Sequence, residues 1–311
     1  MGCRICGSLF LRSTGKLSLW EIPCYNTPSN LKMVSEREIK DLSTYVIGDI
    51  HGALPQFQKM LKKIRFSPEK GDELYLLGDY IDWGEYPLET LLFVMHLDRS
   101  CERVHCLLGN HEEMFLSLIE CGYRKGENNP IADNWLINNR GAGTWSEFSR
   151  LDRYHQWEVR KWLTQLPLSF DVRDGEKHYM LAHAYPYYYD QDHGGREERR
   201  RRSDAVWRRL LLREDPFAEY TGDQTYHCLI CGHTITNYYF DRMKADKSWP
   251  LRKPRAAKRN RIFYGEKYVD IDCGAKLLSY TADTDPAIKK AAERAQLACL
   301  RLEDAEEFYV R

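Results

Sequence analysis

No stretch of this 311-residue chain approaches the roughly 20 consecutive apolar residues that a membrane-spanning helix needs, so no such span is expected. An excess of one charge is missing as well. Lys+Arg and Asp+Glu stand at 46 each, which removes any global pull toward nucleic acid or an anionic membrane. There is no internal repeat and no low-complexity tract. The ten cysteines form no disulfide-like framework; Cys106 and Cys228 fall inside apolar strand-like runs, a usage suited to a reducing, cytosolic compartment. Cys3 and Cys6 make a lone C-x-x-C without the second half of a zinc knuckle. The opening stretch MGCRICGSLFLRSTGKLSLW has too short an apolar core for a secretory signal, and Cys6 stands where a myristoylation motif wants Ser or Thr. Residues 1–40 are therefore expected to be a weakly ordered extension, with Met33 a candidate natural start, and residues 41–311 the folded domain.

What remains is a chain with 43% hydrophobic residues, enough for one large core or two modest ones. Strand-like runs recur at 44–48, 73–78 and 103–108, with helical patterns at 54–64 and 87–98 between them. That alternation marks βαβ units and a parallel sheet. Residues 111–165 read as a mostly helical insert. The segment 168–184 alternates apolar positions around Asp174-Gly175, a hairpin signal. Further strands are expected at 226–232, 262–264, 268–272 and 297–302, with a helical insert around 282–296. Two basic stretches, about 194–203 and 250–261, read as loops.

Chemistry gathers where the strands end. The first run closes in GDIHG with Asp49 and His51, the second in GDYIDWG with Asp79 and Asp82, the third in GNHE with Asn110 and His111. These motifs are spaced by about 30 residues, one βα unit each time. In a parallel sheet such loops share one edge, where ligands bind. Two later strands end alike, YMLAHA with His183 and LICGHT with His233. A single strand-end His is ordinarily a satisfied core residue; five coincident strand ends bearing Asp, His or Asn are hard to explain structurally. Carboxylates, imidazoles and one amide oxygen suit two borderline or hard divalent cations. A bridging Asp such as Asp79 keeps two metals about 3.5–4 Å apart, the separation used for in-line attack at phosphorus.

GDIHG, GDYIDWG, GNHE, His183 and GHT resemble the motifs of the phosphoprotein phosphatase (PPP) family of calcineurin-like metallophosphoesterases. The likeness is greatest to its bacterial and phage-type members, close to the symmetrical diadenosine tetraphosphate hydrolases, and covers roughly residues 43–280. It implies an α/β calcineurin-like metallophosphoesterase sandwich, two central mixed β-sheets flanked by helices. YVDIDCGA (268–275) is similar to the strand that closes the family's sheet, and AQLACLRLED to its partner. By the resemblance, Asp49 and His51 hold a first metal, Asp79 bridges, and Asn110, His183 and His233 hold a second. His111 protonates the leaving oxygen, and Asp82 orients its imidazole. Manganese is the expected metal, with iron or zinc as the other choices, since His and Asn dilute the all-oxygen set that magnesium prefers. The expected activity is phosphomonoester hydrolysis on a phosphorylated protein (serine/threonine or tyrosine) or a small phosphoester. A dinucleoside polyphosphate hydrolase is the first alternative, and a non-catalytic phosphate-binding protein the second. Neither nucleic acid nor a membrane is expected as a partner.

The pattern breaks in two places. The family's phosphate-gripping arginines are replaced by Trp83 and Leu108. Loss of two such cations costs a few kcal/mol each in transition-state binding, by order of magnitude. A third family arginine follows the pattern W-x-R, for which DAVWRRL offers Arg209, with Arg208 as its neighbour. Arg140, in NNRGAGT, is a candidate substitute for a lost arginine. Trp83 and the run AYPYYYD (184–190) are candidate aromatic walls for a ring of the substrate. The basic run REERRRR is a candidate collector of acidic phosphopeptide or polyphosphate.

Overall fold

The computed structural model describes residues 42–123, 130–189, 194–222, 225–246, 258–282 and 284–311. The expected extension, residues 1–40, and most of the basic stretch 250–261 lie outside the described residues. The first half runs β1 (Thr44–Ile47), α1 (Leu54–Ile64), β2 (Glu73–Leu76), α2 (Pro87–Ser100) and β3 (Val104–Cys106). Helices follow as α3 (Asn110–Glu120), α4 (Pro130–Asp133), a π-helical turn over Asn134–Asn138, α5 (Ala142–Phe148) and α6 (Arg153–Leu163). The second half runs β4 (Ser169–Asp174), β5 (Lys177–Ala182), α7 (Gly195–Trp207), β6 (Cys228–Cys231), α8 (Asn237–Ala245), β7 (Phe263–Tyr264) and β8 (Tyr268–Asp270). It closes with α9 (Pro286–Arg294), β9 (Leu297–Arg301) and β10 (Glu307–Val310).

Local sequence explains these elements. In α1 the buried residues Phe57, Met60 and Ile64 fall on one helical face, and Arg65 ends the helix in a left-handed conformation, φ +54°. β1 is buried along Tyr45–Ile47, the continuous apolar run of a strand covered on both faces. Two mixed sheets result, ordered β10-β9-β1-β2-β3 and β4-β5-β6-β8-β7. β1, β2 and β3 are parallel in the first, and β5, β6 and β8 in the second. Val46, Leu77 and Leu107 pack with Leu181, Ile230 and Ile271 between the sheets. Phe57, Met60, Leu91, Val94, Phe115 and Trp162 cover the outer face of the first sheet, and Tyr239 and Met243 that of the second. Each such side chain contributes about 1.5–3 kcal/mol. The sheets meet tightly enough that His183 Nδ1, just past β5, donates to Leu77 O, just past β2, at 2.8 Å. The parallel strands of both sheets therefore direct their carboxyl ends to one place.

Two sequence expectations need correction. The basic stretch about 194–203 is not a loop but most of α7. Intrahelical pairs hold it: Arg200 with Glu197 and Asp204, Arg201 with Glu197, and Arg202 with Glu198. Those acids neutralise much of the charge that made it look like a polyanion collector. AYPYYYD is not an open aromatic wall either. Tyr185, Tyr187 and Tyr188 are buried, with Tyr187 donating to Glu198 of α7 and Tyr188 stacked on Tyr220 at 4.3 Å. Asp190 lies outside the described residues.

Candidate metal centre

Asp49, His51, Asp79, Asn110, His183 and His233 are all buried, and the structure brings them together around Asp79. His51 Nδ1 lies 2.9 Å from Ile81 O, to which it must donate, leaving Nε2 as a lone pair. That lone pair faces Asp79 Oδ2 at 3.3 Å and Asp49 Oδ2 at 3.7 Å. His51 Nε2 and Asp49 Oδ2 are buried with no hydrogen-bond partner. The other half is built the same way. His183 Nδ1 donates to Leu77 O and His233 Nε2 to Trp207 O, at 2.8 and 3.1 Å. Their remaining nitrogens both face Asn110 Oδ1 at 3.0 Å, and His183 Nε2 stands 3.5 Å from Asp79 Oδ1. Acceptors thus converge on two points with Asp79 between them, an arrangement that a positive charge satisfies.

The electrostatics carry the same message. Burial alone would disfavour a charged His51, but Asp49 and Asp79 outweigh it and push the ring up to about 10. The Asp79 carboxyl, for all its burial, is held well below the usual range by His183, His111 and His51. His233 is pushed down to about 3, chiefly by burial, with the charges of His183 and Arg209 adding. A divalent cation would replace the proton that this hollow otherwise demands. The residues fit such a group.

The backbone is bent to achieve this. Of eight non-glycine residues with positive φ among the described residues, six lie here: His51, Asp79, Asp82, Trp83, Arg140 and His233. Such conformations cost of order 1 kcal/mol or more each and cluster where function requires them. Gly232 is required by close approach, because a Cβ there would collide with Asp49 Oδ1. A Cβ on Gly109 would strike Asp79. Glu112 holds the bridging loop in shape, accepting the amides of Asp79, Tyr80, Ile81 and Gly109 at 2.8–3.2 Å.

His111 caps this arrangement. Its Nδ1 donates to Asp82 Oδ2 at 2.6 Å, while Nε2 points inward, 3.9 Å from Asp79 Oδ2. Asp82 is saturated with donors, since Trp135 Nε1 reaches Oδ2 at 2.7 Å and the Thr144 hydroxyl reaches Oδ1. A carboxylate held in this way fixes the imidazole with Nε2 toward the hollow.

The expected substrate residues separate. Arg209 is exposed and close enough for its charge to lower His233. Arg208 is withdrawn, paired with Glu214 at 2.6 Å and laid over the Tyr185 ring at 3.9 Å, so its expected part in phosphate binding is not supported. Leu108 is buried with Leu168, Tyr187, Ala205 and Val206 in an apolar niche that offers a guanidinium no partner among these side chains. Trp83 is half-buried with Arg140 over its ring at 5.6 Å.

Several residues escaped sequence reasoning. Asp272, past β8, is buried, and burial together with Asp49 pushes it up to about 7. Its signal was available, because YVDIDCGA ends one more parallel strand with an acid. Trp135 and Thr144 offered none, being 53 and 62 residues from the Asp82 they bind.

The family model described as calcineurin-like phosphoesterase matches residues 42–237. The symmetrical bis(5'-nucleosyl)-tetraphosphatase of Actinobacillus succinogenes is 46% identical over 82 residues, 26% of this chain and 27% of that protein. Its namesake in Erwinia tasmaniensis is 33% identical over 143 residues, 46% of this chain and 44% of that protein. The chain thus matches less than half the length of these curated relatives. A metallophosphoesterase structure from Sphaerobacter thermophilus aligns over 86% of each chain, at 17% identity and a TM-score of 0.44.

Proposed function

The chain belongs to the calcineurin-like phosphoesterase family and is a metallophosphoesterase, and from that premise we propose that it hydrolyses dinucleoside polyphosphates. The observation that carries the reading is the pair of buried acceptor clusters sharing Asp79. Asp49, His51 and Asp79 would hold one divalent cation, and Asp79, Asn110, His183 and His233 the other, with manganese preferred over iron or zinc. When bound, such ions supply Lewis acidity toward phosphate oxygens and make water acidic enough to attack phosphorus near neutral pH. The chain's own groups do the rest. His111, fixed by Asp82, presents Nε2–H to the departing oxygen, and exposed Arg209 meets phosphate at the mouth. The choice of an anhydride follows the names of the curated relatives, both symmetrical tetraphosphatases.

A second reading is favoured by the 2.6 Å His111–Asp82 contact: phosphomonoester hydrolysis, in which a poor alkoxide leaving group needs that proton. One screen tests both. With manganese supplied, P1,P4-diadenosine tetraphosphate, p-nitrophenyl phosphate, phosphoserine and phosphotyrosine peptides are compared by kcat/KM, with products resolved by anion exchange. Preference for the tetraphosphate, yielding two ADP for each water consumed, supports the first reading. Preference for a phosphopeptide replaces it with the second.

A further inference from the structure

Trp83 stands where a family arginine is expected, and its surroundings are unusual. The indole Nε1–H is buried with no acceptor. Two cations lie over the ring, Arg140 with Cζ at 5.6 Å and Lys276 with Nζ at 5.4 Å from its centroid. Tyr280 closes one side, edge-on at 6.1 Å, and donates its hydroxyl to Trp83 O at 3.3 Å. Arg140 also lies over the Tyr280 ring, at 5.7 Å. Neither cation has a carboxylate in ion-pair reach among the described residues. Like charges gathered on one ring repel, and a buried N–H without an acceptor is costly. An anion placed among them relieves both.

The cluster adjoins the metal centre from two sides. Trp83 follows Asp82 in the chain, and Arg140 rides on the turn between Trp135 and Thr144, both of which bond Asp82. On the other side, the charge of Lys276 reaches Asp272, which in turn feels Asp49 and His51.

We propose that Trp83, Arg140 and Lys276 form a second anion subsite that takes phosphate groups beyond the one under attack. This deepens the polyphosphate reading above and rests on it for the identity of the ligand. The subsite moves the positive charge lost at position 83 onto two side chains from distant segments, and it selects a polyphosphate chain over a lone phosphomonoester. Base stacking on Trp83 is the competing use of the ring, but its π system already holds two cations.

The test uses Lys276→Gln, Arg140→Gln and Trp83→Phe, the last removing the N–H while keeping an aromatic ring. Metal content is checked in each. Two quantities are read in the manganese-supplied protein. One is the ratio of kcat/KM for diadenosine tetraphosphate to that for p-nitrophenyl phosphate. The other is the calorimetric affinity for a methylene-bridged, non-hydrolysable diadenosine tetraphosphate. Loss of one charge-assisted contact is expected to lower both by about tenfold in Lys276→Gln and Arg140→Gln. In Trp83→Phe a smaller loss of the same sign is expected. Unchanged ratio and affinity overturn the subsite. So does competition for the analogue by adenosine alone, which would assign the ring to the base. If the wild-type chain turns over no tetraphosphate, the proposed function fails. Weaker analogue binding by the variants would still support the subsite.

Discussion

Asp82→Asn isolates the charge on the residue behind His111, and the structure sets its size. Oδ2 accepts two N–H groups, from His111 at 2.6 Å and Trp135 at 2.7 Å, and Oδ1 accepts the Thr144 hydroxyl. Asparagine can keep its oxygen toward the two N–H donors and turn its amide toward Thr144, whose hydroxyl can rotate to accept. Geometry survives and only the charge goes. The difference between a charge-assisted and a neutral hydrogen bond is about 1–1.5 kcal/mol, or about tenfold in rate where His111 must carry a proton in the transition state. Asp82→Ala is a different perturbation, stranding two buried N–H donors at about 1–3 kcal/mol each and so endangering the fold. The assay is kcat on a phosphoserine peptide and on the tetraphosphate, with manganese content by elemental analysis and the melting temperature alongside. The expected result is a tenfold loss on the peptide, a smaller one on the anhydride with its better leaving group, and unaltered metal content. Full activity, or loss of metal, would refute the claim that Asp82 acts by orienting and charging His111.

His111→Asn should leave metal content near wild type while cutting the rate on an alkyl phosphate by about 10²–10⁴, checked by steady-state kinetics. Asp79→Asn removes the charge shared by both clusters, so elemental analysis should find both ions depleted and turnover lost. Leu108→Arg, which restores a family residue, should destabilise rather than activate, because the niche of Leu168, Tyr187 and Val206 cannot solvate a guanidinium. Denaturant titration should show a loss of several kcal/mol, by order of magnitude. In chelator-treated protein, His51 at about 10 lies above its ordinary 6.5, so the stability it contributes is full below 6.5 and is lost as pH rises toward 10. Urea titrations across that range should show the decline without metal and not with manganese, for which the ring must be neutral.

Much of this was legible in residues 44–111 because the information there is local. An apolar run followed by Gly-Asp, repeated at one βα unit, states both a strand and what stands at its end. α1 falls on the expected residues 54–64 because its apolar face is complete within eleven residues. Elsewhere local signals misled. The basic run of α7 has little apolar face, and its helix is carried by Glu197, Glu198 and Asp204 spaced to meet the arginines. β10 carries the strand-prone run Phe308-Tyr309-Val310, but at four residues, paired with β9 alone among the described residues, that signal is too short to stand by itself.

The site divides in the same way. Sequence alone indicated which groups gather at the candidate metal centre, because each sits one to four residues past a strand whose direction the βα order imposes. It did not determine which cations serve the substrate. Arg208 and Arg209 are neighbours in sequence, yet one is paired with Glu214 and the other faces solvent near His233. Lys276 and Arg140 meet on Trp83 from segments that share no motif. Only packing of the two sheets and the helical insert decides such encounters, since a long charged side chain finds its partner by three-dimensional reach, not by position in the chain.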